Sequence, residues 1–140
     1  MKPSNPPKID PSTVRILVID DEPVVLKSCE RILRRAGYHV TCEQDARNGL
    51  EKALGEPFHV VIVDLKMPGL DGMQVLDAIK AQQPELAVIM ITGYSTVQTA
   101  MEAIKRGAAD YVPKPFNPSE LELVVKRILE KQNLLQEPLP

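Results

Sequence analysis

HVVIVDLKMPGLDGMQVLDAIK, residues 59–80, contains a complete βα unit. The run HVVIV is apolar at successive positions instead of alternating with polar ones, the pattern of a strand covered on both faces. Asp64 closes the run, Met67-Pro68-Gly69 has the composition of a tight turn, and the next apolar positions predict a helix over about 71–83. A strand buried on both faces and succeeded at once by a helix belongs to a parallel sheet, because parallel neighbours need crossovers and the crossovers cover the sheet.

The same unit recurs on both sides. VRILVI (14–19), YHVTCE (38–43), AVIMI (87–91) and DYV (110–112) read as further strands. Helices are predicted from Glu22-Pro23 to just before Gly37, and over about 45–55, 95–107 and 118–133, with Pro23 suited to a first helical position and Gly107 placed to stop the fourth helix. Val25, Leu26, Cys29, Ile32, Leu33 and Ala36 form one stripe along the first helix. Five such units predict an α/β fold: a doubly wound five-stranded parallel sheet in the flavodoxin-like order 2-1-3-4-5, with helices on both faces. Residues 1–12, rich in Pro, Ser and Lys, read as a flexible lead-in, 13–130 as the domain, and 131–140 as a tail or the start of a linker helix.

Composition narrows the function. With 140 residues, 44% of them hydrophobic, the chain can bury one core. Seventeen basic against nineteen acidic residues leave a net charge of −2, which supports no direct nucleic-acid contact and no attraction to an anionic membrane. No apolar run approaches the roughly 20 residues of a membrane span, and the amino terminus lacks a signal-peptide core, so a cytoplasmic location is expected. Cys29 and Cys42 form no CxxC pair and read as reduced fillers.

In a doubly wound sheet, ligands bind beyond the carboxyl ends of the strands. Asp20 and Asp21 come after the first strand, Asp64 after the third, Thr92 after the fourth and Lys114 after the fifth. Each alone has an ordinary explanation: helix capping for the acidic pair and for Thr92, turn formation for Asp64, a solvated charge for Lys114. All of them falling on one edge of one sheet favours a joint role. Three carboxylates held together repel unless a cation intervenes, and an all-oxygen set suits Mg2+ (or Mn2+). A carboxylate so neutralised can attack phosphorus, with Lys114 and the Thr92 hydroxyl meeting the phosphoryl oxygens.

The blocks ILVIDDEP, VIVDLKMPGLDGMQVL and VIMITGYSTVQTAMEAIKRGAADYVPKPF resemble the receiver domain of two-component response regulators over about residues 13–130. The resemblance implies a phosphoacceptor at Asp64. It places a metal on Asp20, Asp21, Asp64 and the backbone carbonyl of Lys66, and it makes Thr92, Lys114 and Tyr111 the phosphoryl-binding and switch residues. It also suggests a cis bond between Lys114 and Pro115. The phrasing TGYSTVQTA is similar to receivers heading transcription activators of the nitrogen-regulation type. The chain carries no ATPase or DNA-binding module, so it is expected to be an amino-terminal portion of such a regulator. The implied partner is a sensor histidine kinase or a histidine phosphotransfer protein, with the first helix and its Arg31, Arg34 and Arg35 as a docking face. A homodimer through the fourth helix, fifth strand and fifth helix is also admitted. Such a domain is a signalling switch and not an enzyme with turnover on an external substrate. A phosphohydrolase using Asp64 would need a second acid/base pair and a lid, and the short connections offer neither.

Lys66 and Tyr94 stand two residues after Asp64 and Thr92, where a long stem and a phenol ring are expected to flank the phosphoryl group and lengthen its life; the alternatives are a Lys66 charge that speeds hydrolysis and two side chains that simply face solvent. His39 and His59 have no partners at metal-ligand spacing. Met67, Met73, Met90 and Met101 are expected as core fillers. Leu121, Val125, Ile128 and Leu135 suit either a core-facing helix or a linker coiled coil.

Overall fold

The computed structural model describes residues 9–136. Five strands, β1 (Arg15–Ile19), β2 (His39–Glu43), β3 (Val60–Asp64), β4 (Ala87–Thr92) and β5 (Asp110–Pro113), alternate with five helices, α1 (Pro23–Arg35), α2 (Ala46–Gly55), α3 (Gly72–Gln82), α4 (Val97–Lys105) and α5 (Pro118–Gln136). All strand pairs are parallel, in the order β2-β1-β3-β4-β5. The expected order is therefore the observed one.

Period-two alternation divides the sheet's side chains between two cores. Ile16, Val18, Val60, Ile62, Ile89 and Ile91 pack against Leu26, Cys29 and Leu33 of α1 and against Leu121, Val125, Ile128 and Leu129 of α5. Leu17, Ile19, Val61, Val63, Val88 and Met90 face the other way, onto Val75, Leu76 and Ile79 of α3 and small residues of α2 and α4. Every residue of β3 and β4 is buried. At roughly 1.5 to 3 kcal/mol for each fully buried aliphatic side chain, these strands carry much of the driving force and hold their ends fixed. Leu121, Val125 and Ile128 thus take the core-facing reading, whereas the side chain of Leu135 lies outside the described residues.

Helix boundaries are set by caps. α1 ends in a Schellman turn at Gly37, whose φ of +101° suits glycine, and Tyr38 N donates to Leu33 O at 3.1 Å. Gly107 stops α4 in the same way. α3 and α4 open on capping boxes, Asp71 with Gln74 and Thr96 with Thr99.

Two expectations need correction. The lead-in predicted over residues 1–12 is structured from Ile9 onward: Ile9 packs on the core, and Asp10 caps a 3-10 turn at Pro11–Thr13 by accepting from Ser12 N at 3.0 Å. Residues 1–8 lie outside the described part. Met101 is 67% exposed and is no core filler, whereas Met67 and Met90 are buried and Met73 packs at a core margin. Among the described residues no helix is long and apolar enough to cross a membrane.

Candidate functional site

The sheet brings its polar strand ends to one edge. Asp20 comes directly after Ile19 of β1, and Asp64 ends β3, its neighbour. Thr92 ends β4, and Lys114 comes directly after β5, with its amide donating to Thr92 O at 2.8 Å. Asp20, Asp64 and Thr92 are the buried polar or charged residues among those described. Keeping charge there against its desolvation cost requires partners.

Lys114 is the main partner. Its Nζ lies 2.8 Å from Glu22 Oε1, 3.0 Å from Asp20 Oδ2 and 3.4 Å from Asp64 Oδ2. Asp20 Oδ1 accepts from Glu22 N at 2.9 Å. Asp20 Oδ2, though at ion-pair distance from the ammonium, receives no well-directed hydrogen bond. Burial first, and then the neighbouring Asp20 charge, push the Asp64 carboxyl up to about 6. Burial likewise raises Asp20. Burial pulls Lys114 downward, but the carboxylates of Glu22, Asp20 and Asp64 outweigh it and hold the ammonium above its ordinary range.

Oxygens of Asp20, Asp21 and Asp64 lie within 4.8 Å of one another. Asp21 is the exposed member and opens the group to solvent. A three-carboxylate set with one buried oxygen lacking a directed donor fits a hard divalent cation. The Lys66 carbonyl belongs to the loop after β3, and the Lys66 amide approaches Asp64 Oδ1 at 3.4 Å. This loop is held by glycine: Gly72 N donates to Leu65 O at 2.9 Å, and a Cβ at Gly72 would run into the Asp64 carbonyl oxygen and lie 2.7 Å from Leu65 Cα.

Neither helix-capping explanation holds. Glu22 occupies the α1 N-cap position without a side-chain cap bond, and Thr96, not Thr92, caps α4. Thr92 Oγ1 accepts from Tyr94 N at 3.0 Å, which leaves the hydroxyl proton free to donate toward the edge. Lys66 Nζ lies over the Tyr94 ring, 5.4 Å from its centroid, and both residues are exposed. Tyr111 sits apart from the cluster: its hydroxyl is 2.8 Å from Thr99 Oγ1 of α4, and its ring is partly buried. The Lys114-Pro115 bond is cis.

Sequence reasoning misses the role of Glu22. The residue reads as a helix start, and its contact with Lys114 spans 92 positions of chain. The ILVIDDEP block is its only visible signal. Elsewhere, His59 Nδ1 accepts from Arg15 N at 3.1 Å, a structural bond. Burial pushes the Cys29 thiol up to about 12, so it is a filler and not a nucleophile.

The nitrogen assimilation regulatory protein NtrX of Azorhizobium caulinodans is 38% identical over 124 residues, 87% of this chain and 27% of that regulator. The chain therefore spans about a quarter of that relative's length. A CheY-like receiver domain from Methanospirillum hungatei superimposes with a TM-score of 0.83 at 33% identity, covering 87% of this chain and 98% of the other. The beryllofluoride-activated NtrC4 receiver domain dimer gives 0.80 at 37%, covering 84% and 98%. Residues 16–126 match the response regulator receiver domain, and with the sheet order and these likenesses the chain belongs to the receiver domains of two-component response regulators.

Proposed function

We propose that this receiver takes a phosphoryl group onto Asp64 from a histidine kinase, a histidine phosphotransfer protein or a small acyl phosphate, and thereby changes the surface offered to an output module. The observation that carries the assignment is the position of Asp64: buried at the end of a central strand, and shared between the acidic cluster and Lys114. A divalent cation held by Asp20, Asp21, Asp64 and the Lys66 carbonyl would offset the charge of the carboxylates and of the incoming phosphoryl oxygens. An Asp64 oxygen forms the new bond to phosphorus as the bond from phosphorus to the donor's nitrogen or oxygen breaks, leaving an acyl phosphate. Lys114 stands where its ammonium can take up charge on the transferring group, and the free Thr92 proton is available to a second oxygen.

Thr92 would then couple to Tyr111 through β4 and β5 and bias α4, shifting a population that already exists. Val97, Met101 and Ile104 recur at helical spacing on α4 and are exposed, which favours a second copy meeting the α4–β5–α5 face in the active state. Sedimentation that stays monomeric with beryllofluoride would count against that dimer. We assign the domain to about residues 9–130, with α5 continuing toward a linker, and place the protein in the cytoplasm with its kinase.

The test is labelling from acetyl phosphate with Mg2+. Wild type should take up hydroxylamine-sensitive phosphate, Asp64→Asn should take up none, and excess chelator should abolish the reaction. Equal labelling of the variant would remove Asp64 from its role. Because Lys66 and Tyr94, two residues after Asp64 and Thr92, contact each other, we read them as an occluding pair and expect faster loss of label in Lys66→Ala and Tyr94→Ala, by roughly twofold to tenfold as in-line water gains access. Slower or unchanged decay in both would exclude occlusion.

A further inference from the structure

Lys114 carries three N–H donors, and three carboxylates surround them, at 2.8 Å (Glu22), 3.0 Å (Asp20) and 3.4 Å (Asp64). The well-directed hydrogen bond goes to Glu22, and the other two are charge contacts. Crowded on three sides by carboxylates, the ammonium can turn a well-directed donor to a new oxygen anion only by loosening one of these contacts. Asp20 cannot leave cheaply: it is wholly buried, and the Glu22 backbone amide holds its other oxygen at 2.9 Å. Asp64 carries the new group and stays. The Glu22 side chain is 60% exposed, so water can replace the lysine at little cost.

We infer that Glu22 is a positioning residue that holds Lys114 in the resting site and competes with the phosphoryl group for its ammonium. The inference rests on the reading of Asp64 as phosphoacceptor. The two functions of Glu22 are separable, because its main chain holds Asp20 and its side chain holds Lys114. Removing the side-chain charge therefore leaves the acidic cluster's backbone support intact. The competition sets a threshold: the resting ammonium is neutralised, and a ligand must bring oxygens better than one solvated carboxylate to recruit it.

Beryllofluoride with saturating Mg2+, monitored by amide spectra, provides the test. Glu22→Gln should bind the mimic roughly twofold to fivefold more tightly, the range of a partly exposed ion pair, and Glu22→Asp should lie nearer wild type. In a Lys114→Gln background the same Glu22→Gln change should gain nothing, since simple repulsion between Glu22 and the anion would persist there while competition for the ammonium cannot. A second readout needs no lysine variant: the Glu22 side-chain carboxyl 13C signal of wild type should move when beryllofluoride is added. An equal gain in both backgrounds, unchanged affinity, or a stationary Glu22 carboxyl signal would overturn the inference. Failure of wild type to bind the mimic at all would instead overturn the assignment of Asp64.

Discussion

At the amino-terminal end of the sheet Arg15 reaches Glu56 at 2.9 Å, and at the carboxyl-terminal end Lys114 reaches Asp20 at 3.0 Å. The lengths are almost the same, but the surroundings differ. The Arg15 and Glu56 side chains are 37% and 44% exposed, and the guanidinium also rests over the Phe58 ring at 4.8 Å. Lys114 and Asp20 are 14% and 0% exposed, with a second buried carboxylate alongside. An exposed pair gains little, because water and salt already serve both charges; a buried group of unequal charges stays under tension, because each desolvated carboxylate depends on one cation. The first pair staples a loop. The second is a set of charges that lacks positive charge and can be completed by a ligand.

Lys114→Met should break this contrast most severely. We expect phosphoryl labelling to fall by at least about a hundredfold, in the range seen when one charge-stabilising donor is removed. In chelator at pH 7 it should also cost about 2 to 3 kcal/mol of stability, since two buried carboxylates lose their cation. Labelling rates and urea midpoints check both numbers. A cost no larger than that of an exposed lysine would mean that the edge is wetter than its burial indicates.

A smaller effect of opposite sign is expected from Asp64→Asn. Between its ordinary 3.8 and about 6, native Asp64 keeps a proton that the unfolded chain has lost, so metal-free stability falls as pH rises through that window and levels off above it. Asp20, also raised, acts in the same direction. The amide cannot ionise, so metal-free Asp64→Asn should exceed wild type by about 1 to 2 kcal/mol at pH 7.5, after allowance for screening at the open edge. The two should converge near pH 4, and Mg2+ should stabilise wild type alone. A gap independent of pH would argue that packing, and not charge, separates them.

The smallest change belongs to the other end. Arg15→Gln should cost under about 1 kcal/mol, and 0.5 M salt should remove much of that while leaving the Lys114 effect largely in place. A larger loss would show that the contact with Phe58, not the ion pair, dominates there.

The contrast also explains which features are legible in the sequence. Continuously apolar β3 and β4 mark a parallel sheet, and the residues at the strand ends, Asp20, Asp64, Thr92 and Lys114, stand out at once, because backbone topology alone decides which strand ends meet. Side-chain competition is not written in that pattern. Glu22 looks like any acidic residue at a helix start, and only the folded chain shows Lys114 choosing it. α4 misleads for a related reason. Val97, Met101 and Ile104 recur as a core stripe would, yet the fully buried residue of that helix is Ala103. Periodicity reveals that a face is apolar, not whether this domain covers it.

Gly72 sets a manufacturing tolerance for Asp64, the proposed acceptor. The carbonyl of Asp64 lies where a methyl group at position 72 would go, with Met90 Cε behind it at 2.9 Å. β3 and α3 are thus fitted with zero clearance, and the gauge between them is an atom the chain does not possess. At Gly55 an added methyl would meet nothing within 4 Å. The same small increment would pass unnoticed there, but at position 72 it would act as a shim, displacing Asp64 relative to Asp20, Thr92 and Lys114.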